Sequence, residues 1–298
     1  MQLTEIFDFL WPSAAALWNL RWQVKGFLDS VPNASEAELT GRFVQGSGLR
    51  GVNLRKATIM RSWNEQQQQL ALFVLISAFA VYESWVDSLL EVLNDTNQLT
   101  KDLQFPTTKD KGIWNAIAKL TKPESVELRE SIYPSLIVNP KYSGPNLDNL
   151  MTCYRYFKEL RNCLIHHGGI VDNRCEEAYL QFKKVATTSD LGIKEVPEHI
   201  PTIDGDHVNL SLRGVIGFSD VMLRIMTTID AEVSQAKVAE SEFVRRWINV
   251  YGKVVRISKS DNRVRSHQIE RRVQLLSLPK PKQTQPLELL LKRAGLLN

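Results

Sequence analysis

The residues with the clearest chemical potential lie in one short stretch, YFKELRNCLIHHGGIVD, residues 156 to 172. Arg161 and Asn162 precede His166 by about one helical turn, and Gly168-Gly169 follows. Histidine exchanges a proton most readily near neutral pH. Arginine offers a rigid fork of donors to a phosphate or carboxylate, and an asparagine amide can hold an imidazole in one orientation. At about 100° per residue along a helix, Leu150, Phe157 and Leu164 form an apolar line, while Arg155, Lys158, Asn162 and His166 form a second line on a different face. Arg161 falls between them, about 40° from the Phe157 line. Asn162 and His166 are i, i+4 neighbours, so the amide is placed to orient the ring. His166 falls in the last turn, where the helix dipole favours its protonated form. The chemistry to expect is proton transfer beside a bound anion.

The pattern Arg-Asn-three residues-His resembles the motif of the HEPN superfamily (higher eukaryotes and prokaryotes nucleotide-binding), and Arg161, Asn162 and His166 match it letter for letter. In a chain of this composition it is expected about 0.02 times by chance. The preceding amphipathic helix, the small-residue turn after it and an upstream apolar helix carrying an acid (AVYESWVDSLL, residues 80 to 90) are similar to the family as well. The resemblance covers about residues 51–240 and implies an antiparallel helical bundle. It also implies an endoribonuclease of a toxin or anti-phage defence system, cytoplasmic, needing neither metal nor cofactor and acting by 2′-hydroxyl attack.

Arg161 and His166 would be catalytic, with Asn162, His167 and Glu83 in support. Metal-free cleavage needs a base, an acid and cations near the phosphate, and one motif supplies one well-placed histidine. The family builds its composite site across a homodimer, which is the assembly expected here, with an antitoxin or defence-system protein as a further partner. His167 is a second phosphate ligand or a spare acid. Glu83 is expected to pair with Arg161 or orient an imidazole. Arg155 and Lys158 are candidate RNA contacts, although a solvated helix face explains them more simply. Members controlled by adenylylation carry a tyrosine two residues after the motif histidine; Gly168 stands there, so that control is not expected. The rival reading is a non-catalytic HEPN-like RNA-binding or scaffold protein.

These residues must be positioned by a chain of 298 residues, 43% apolar and 23% charged, which is ordinary globular composition. The three cysteines, Cys153, Cys163 and Cys175, contain no CxxC pair, so neither a disulfide framework nor a zinc ribbon is readable. P-loop, α/β-hydrolase, zincin, dinucleotide-binding and EF-hand signatures are absent. The start carries Glu5 and Asp8 where a secretory signal needs a cationic and then an apolar run. The most apolar segment, Leu70 to Tyr82, is shorter than the roughly 20 residues of a membrane span, so a buried core helix and no membrane partner are expected.

Helical spacing covers residues 1–50, a long stretch from Leu54 to Leu93 ended by Asn94-Asp95, Leu147 to Ile165, Arg174 to Ala186, and Arg213 to Ala236. Gln98 to Pro145 reads as a Pro-broken, loop-rich insertion with one short helix at Ile113 to Leu120. The alternation Val208-Asn209-Leu210-Ser211-Leu212 after Asp204-Gly205 suggests a small β-hairpin. The fold class is therefore mainly α, with a helical extension at 1–50, a HEPN-like domain at 51–240 and a basic extension at 241–298. That last segment has 13 Lys or Arg against four acids, which leaves the remainder net acidic in a chain of +4 overall. A basic segment beside an acidic body points to a polyanion, RNA first, with Arg245, Arg246, Arg271 and Arg272 as the contacts.

Overall fold

A computed structural model describes residues 3–93, 103, 112–252, 254–258 and 261–298. Helix accounts for 69% of the chain and no strand occurs among the described residues, which places the fold in the mainly-α class. The chain forms two compact units. Four of the five boundaries between them fall inside helices, and the fifth, between Val196 and Pro197, lies in non-helical backbone.

The first unit is Met1–Val81, Leu160–Glu176 and Pro197–Ser219. Helix α1 (Leu3–Ser30) buries Val24 and Leu28 against Ala34, Leu39, Val44 and Leu54. Helix α2 (Glu36–Phe43) starts on a capping box: Ser35 Oγ accepts from Glu38 N at 3.2 Å, and the Glu38 carboxylate accepts from Ser35 N at 2.7 Å. The long helix expected from Leu54 is broken. A π-helical turn at Arg55–Met60 leads to Arg61 in extended backbone, and α3 (Trp63–Val92) begins anew. The cause is a second box, Ser62 with Glu65, in which Ser62 N donates to Glu65 Oε2 at 2.6 Å and Glu65 N donates to Ser62 Oγ at 3.2 Å. The helix end expected at Asn94-Asp95 lies outside the described residues. Within this unit α3 buries Ala71, Val74, Leu75, Ala78 and Phe79 but leaves Phe73 67% exposed. Over its 30 residues α3 is long and apolar enough to cross a membrane, and 39% of its most apolar stretch is buried, less than a buried core helix would show.

The hairpin expected at Val196 to Leu212 does not form. Asp204-Gly205 does turn, with Asp206 N donating to Ile203 O at 3.1 Å. The flanking backbone, however, bonds to the segment after residue 168: Val171 N donates to Asp206 O at 2.9 Å, Gly205 N to Val171 O at 3.0 Å, and Val208 N to Gly169 O at 2.8 Å. A single antiparallel bridge, Ile170 with His207, results. The other end of this segment lies on α10 (Leu212–Val233). A Cβ at Gly214 would meet the Glu198 carbonyl oxygen at 2.0 Å, so only glycine admits that approach.

The second unit is Tyr82–Glu159, Glu177–Val196 and Asp220–Asn298. The Pro-rich region is more helical than expected: beside α4 (Ile113–Leu120) it forms α5 (Val126–Ser131), α6 (Tyr133–Leu136) and a 3-10 turn at Gly144–Asn146. Polar contacts fasten it. The Tyr133 and Tyr142 hydroxyls donate to Glu232 Oε1 at 3.0 and 2.7 Å, and Ser143 N donates to Thr228 Oγ1 at 2.9 Å. Helix α7 (Leu147–His166) carries Tyr156 onto Phe182 of α8 (Asn173–Val185), the rings stacked at 5.3 Å; the short α9 (Thr188–Leu191) follows.

Residues 241–298 are a structural part of this unit. Helices α11 (Lys237–Tyr251), α12 (Asn262–Leu275) and α13 (Gln285–Arg293) enclose a core of Phe243, Trp247, Ile269, Val273, Leu287, Leu290 and Leu291 that also takes in Leu128 of α5 and Ile132 just after it. Trp247 is fully buried at its centre. Trp247→Ala should lower unfolding free energy by about 3–5 kcal/mol, measured by urea denaturation. A loss of less than about 1 kcal/mol, the scale of a surface substitution, would show the C-terminal helices to be peripheral.

Candidate functional site

The last turn of α7 and the loop after it lie in the first unit. Helix α7 ends at His166, one residue beyond the expected stop. His167 N and Gly169 N both donate to Cys163 O at 3.0 Å, closing the helix end, and Gly168 and Gly169 take positive φ of 63° and 82°. Asp172 then starts α8: its Oδ1 accepts from Cys175 N at 2.9 Å, an N-cap bond.

Because the helix continues through His166, Arg161 and His166 are about 140° apart around the axis and about 7.5 Å apart along it. Their Cα–Cβ bonds therefore leave the helix in different directions. Arg161 Nη1 donates to Asn162 Oδ1 at 3.3 Å, while its Nε is buried without a hydrogen-bond partner among the described residues. The carbonyl oxygen of the Asn162 amide, the group expected to orient His166, is thus turned to the arginine. His166 is exposed.

His167 is engaged differently. Its Nδ1 lies 3.3 Å from Asp172 Oδ2, with the ring about half exposed, and Cys163 Sγ lies 3.7 Å from Asp172 Oδ1. The reactive atoms of Cys163, His167 and Asp172 all fall within 4.8 Å of one another. Burial pushes the Cys163 thiol above its usual range, and the Asp172 charge works the same way. Sequence reasoning missed this cluster; its signal was Cys and His at i, i+4 on a helix end, followed by an Asp after the glycines.

The other expected residues lie in the second unit. Lys158 is buried, its side chain 3% exposed, with Nζ 3.9 Å from Glu83 Oε1. That corrects two expectations: Lys158 is withdrawn from any surface contact with RNA, and Glu83 meets Lys158. Arg155 Nε lies 2.8 Å from Glu159 Oε1. In the C-terminal segment, Arg245 and Arg246 both pair with Glu242, at 2.6 and 2.7 Å. Arg272 Nη1 donates to Gln268 O at 3.1 Å. Arg271 is exposed.

Other cations of this segment are paired as well: Arg265 with Glu288, Lys280 with Glu270, and Arg293 with Glu127 and Glu240. Arg161 and His166 have no carboxylate partner among the described residues, a state they share with other surface cations such as Arg271. Searches of protein-family models, curated proteins and solved structures find no match to this chain.

Proposed function

We propose that this chain is an endoribonuclease of the HEPN type, an antiparallel helical protein that cleaves RNA without a catalytic metal, as a toxin or defence effector. The observation that carries this reading is that Arg161 and His166, at a helix end and in the order and spacing of the motif they resemble, have no carboxylate partner among the described residues. His166 is the acid or base at the reacting oxygens, free to reach solvent-borne substrate. Arg161, with a buried donor unspent, stabilises charge building on the phosphate. Asn162 holds the guanidinium.

The 140° divergence of Arg161 and His166 along one helix supports a site completed by a second copy. Exposed aromatic side chains on α1 and α3 of the first unit, Phe9, Trp11, Trp22 and Phe73, supply apolar surface of the kind a partner covers. Arg271, solvated and uncommitted to any acid among the described residues, is the strongest remaining candidate of the basic segment for non-specific RNA affinity.

Three outcomes are expected. Incubation with RNA in magnesium-free buffer yields 2′,3′-cyclic phosphate and 5′-hydroxyl ends, and His166→Ala slows cleavage by about 10²–10⁴-fold; 3′-hydroxyl ends, or strict dependence on added Mg²⁺, would overturn the mechanism. Mixing Arg161→Ala with His166→Ala chains restores part of the cleavage that each lacks alone, whereas an active monomer in light scattering would refute the composite site. Arg271→Ala reduces the slope of log K against log salt by about 0.7 for single-stranded RNA and leaves cleavage at saturating RNA unchanged; an unaltered slope removes Arg271 from the interface.

A further inference from the structure

We propose that Cys163, His167 and Asp172 form a binding site for one thiophilic divalent cation, Zn²⁺ above all, which fixes the end of the helix that bears His166. The proposal stands apart from the nuclease reading, since it concerns binding and not cleavage.

Donor chemistry selects the ion. A thiol, an imidazole and a carboxylate together suit zinc, whereas magnesium and calcium take oxygen ligands alone. Geometry agrees. Zinc bonds of about 2.3 Å to sulfur and about 2.0–2.2 Å to nitrogen and oxygen give tetrahedral edges of about 3.3–3.6 Å between ligand atoms. The observed separations are 3.3 Å from His167 Nδ1 to Asp172 Oδ2 and 3.7 Å from Cys163 Sγ to Asp172 Oδ1. These distances run to the two different oxygens of one carboxylate, and one donor atom from each of the three residues lies within 4.8 Å of the others, so side-chain adjustments of about an ångström would close them around an ion.

The surroundings do what ligand supports do elsewhere. The Cys175 amide donates to Asp172 Oδ1 at 2.9 Å and holds the carboxylate in place. Zn²⁺ would displace the Cys163 proton to solvent and meet one thiolate, one carboxylate and a neutral imidazole, leaving the site without net charge. That suits a sulfur which is itself buried. The fourth position, on the side where His167 is about half exposed, is left to water. The mechanical consequence is local. Cys163 and His167 belong to the closing turn of α7 and Asp172 opens α8, so the ion clasps both ends of the Gly168-Gly169 loop.

The experiment uses the full chain, stripped with a chelator and titrated with Co²⁺. One equivalent should bind, with a thiolate-to-cobalt charge-transfer band in the near ultraviolet and visible bands of tetrahedral intensity, all abolished by Zn²⁺. Cys163→Ser should remove the charge-transfer band. His167→Ala alters an exposed ring and so leaves folding intact, and Asp172→Asn preserves the helix cap; each should weaken Co²⁺ affinity at least tenfold. Absence of saturable binding, or isotherms unchanged in both His167→Ala and Asp172→Asn, would overturn the site. A chain that binds Co²⁺ but leaves RNA intact defeats only the nuclease reading. A chain that produces cyclic phosphates but binds no Co²⁺ defeats only the metal site.

Discussion

The Asp172 carboxylate holds together the turn that joins α7 to α8. A chain that leaves one helix and enters another within six residues must satisfy carbonyls at the first end and amides at the second. Gly168 and Gly169 solve the first problem by taking left-handed backbone, which returns two amides to Cys163 O. Asp172 solves the second by accepting from Cys175 N. The same carboxylate also faces His167 and Cys163, so one side chain sets the loop, the helix start and the environment of a histidine next to His166. Backbone bonds from Gly169 and Val171 to residues 205–208 then brace the loop from outside. Those bonds explain why the segment 197–211 gives up a hairpin of its own: its donors and acceptors are claimed by the loop that it supports.

Much of the helical architecture was legible because it rests on local rules. The stop at Gly168-Gly169, the helix at Ile113–Leu120 and the helix from Asn173 follow from turn residues and apolar spacing, and they fall within a residue or so of expectation. The break at Ser62 was also local, since Ser62 and Glu65 form a capping box in plain view; the apolar run that follows concealed it. What sequence could not show was which partner a side chain finds across the fold. Lys158 reads as part of a cationic surface line by spacing alone, yet it is buried beside Glu83, more than seventy positions earlier in the chain. The hairpin failed for the same reason: alternation describes a strand's faces and says nothing about a competing backbone.

The basic segment shows how charge counting and structure diverge. Thirteen cations against four acids describes a polyanion-binding tail. In the fold this segment is core-forming. Eight of its arginines and lysines lie on the helices α11, α12 and α13, which bury Trp247 and Leu290, and Arg293 reaches Glu127 and Glu240 to tie α13 to α5 and α11. A cation held by a carboxylate still contributes to the long-range field, but it must break that pairing to take a phosphate directly. Surface pairs are worth about 0–1 kcal/mol, so Arg245 and Arg246, sharing the single Glu242, lose little by exchanging it for RNA. Arg293, bound to two acids, loses more. The segment therefore divides into cations that hold helices together and cations free to attract a ligand.

The same division applies at the end of α7. Arg161 and His166 have no acid to satisfy among the described residues. His167, one residue on, has both an acid and a thiol beside it. A histidine already facing a carboxylate and a buried sulfur is constrained in tautomer and in motion, and so is suited to holding something in place. A histidine at a helix end with neither is suited to giving and taking a proton. Adjacent residues of one type are thus separated in role by a single rotation of the helix, and it is Asp172, placed by the need to cap α8, that decides which of the two is which.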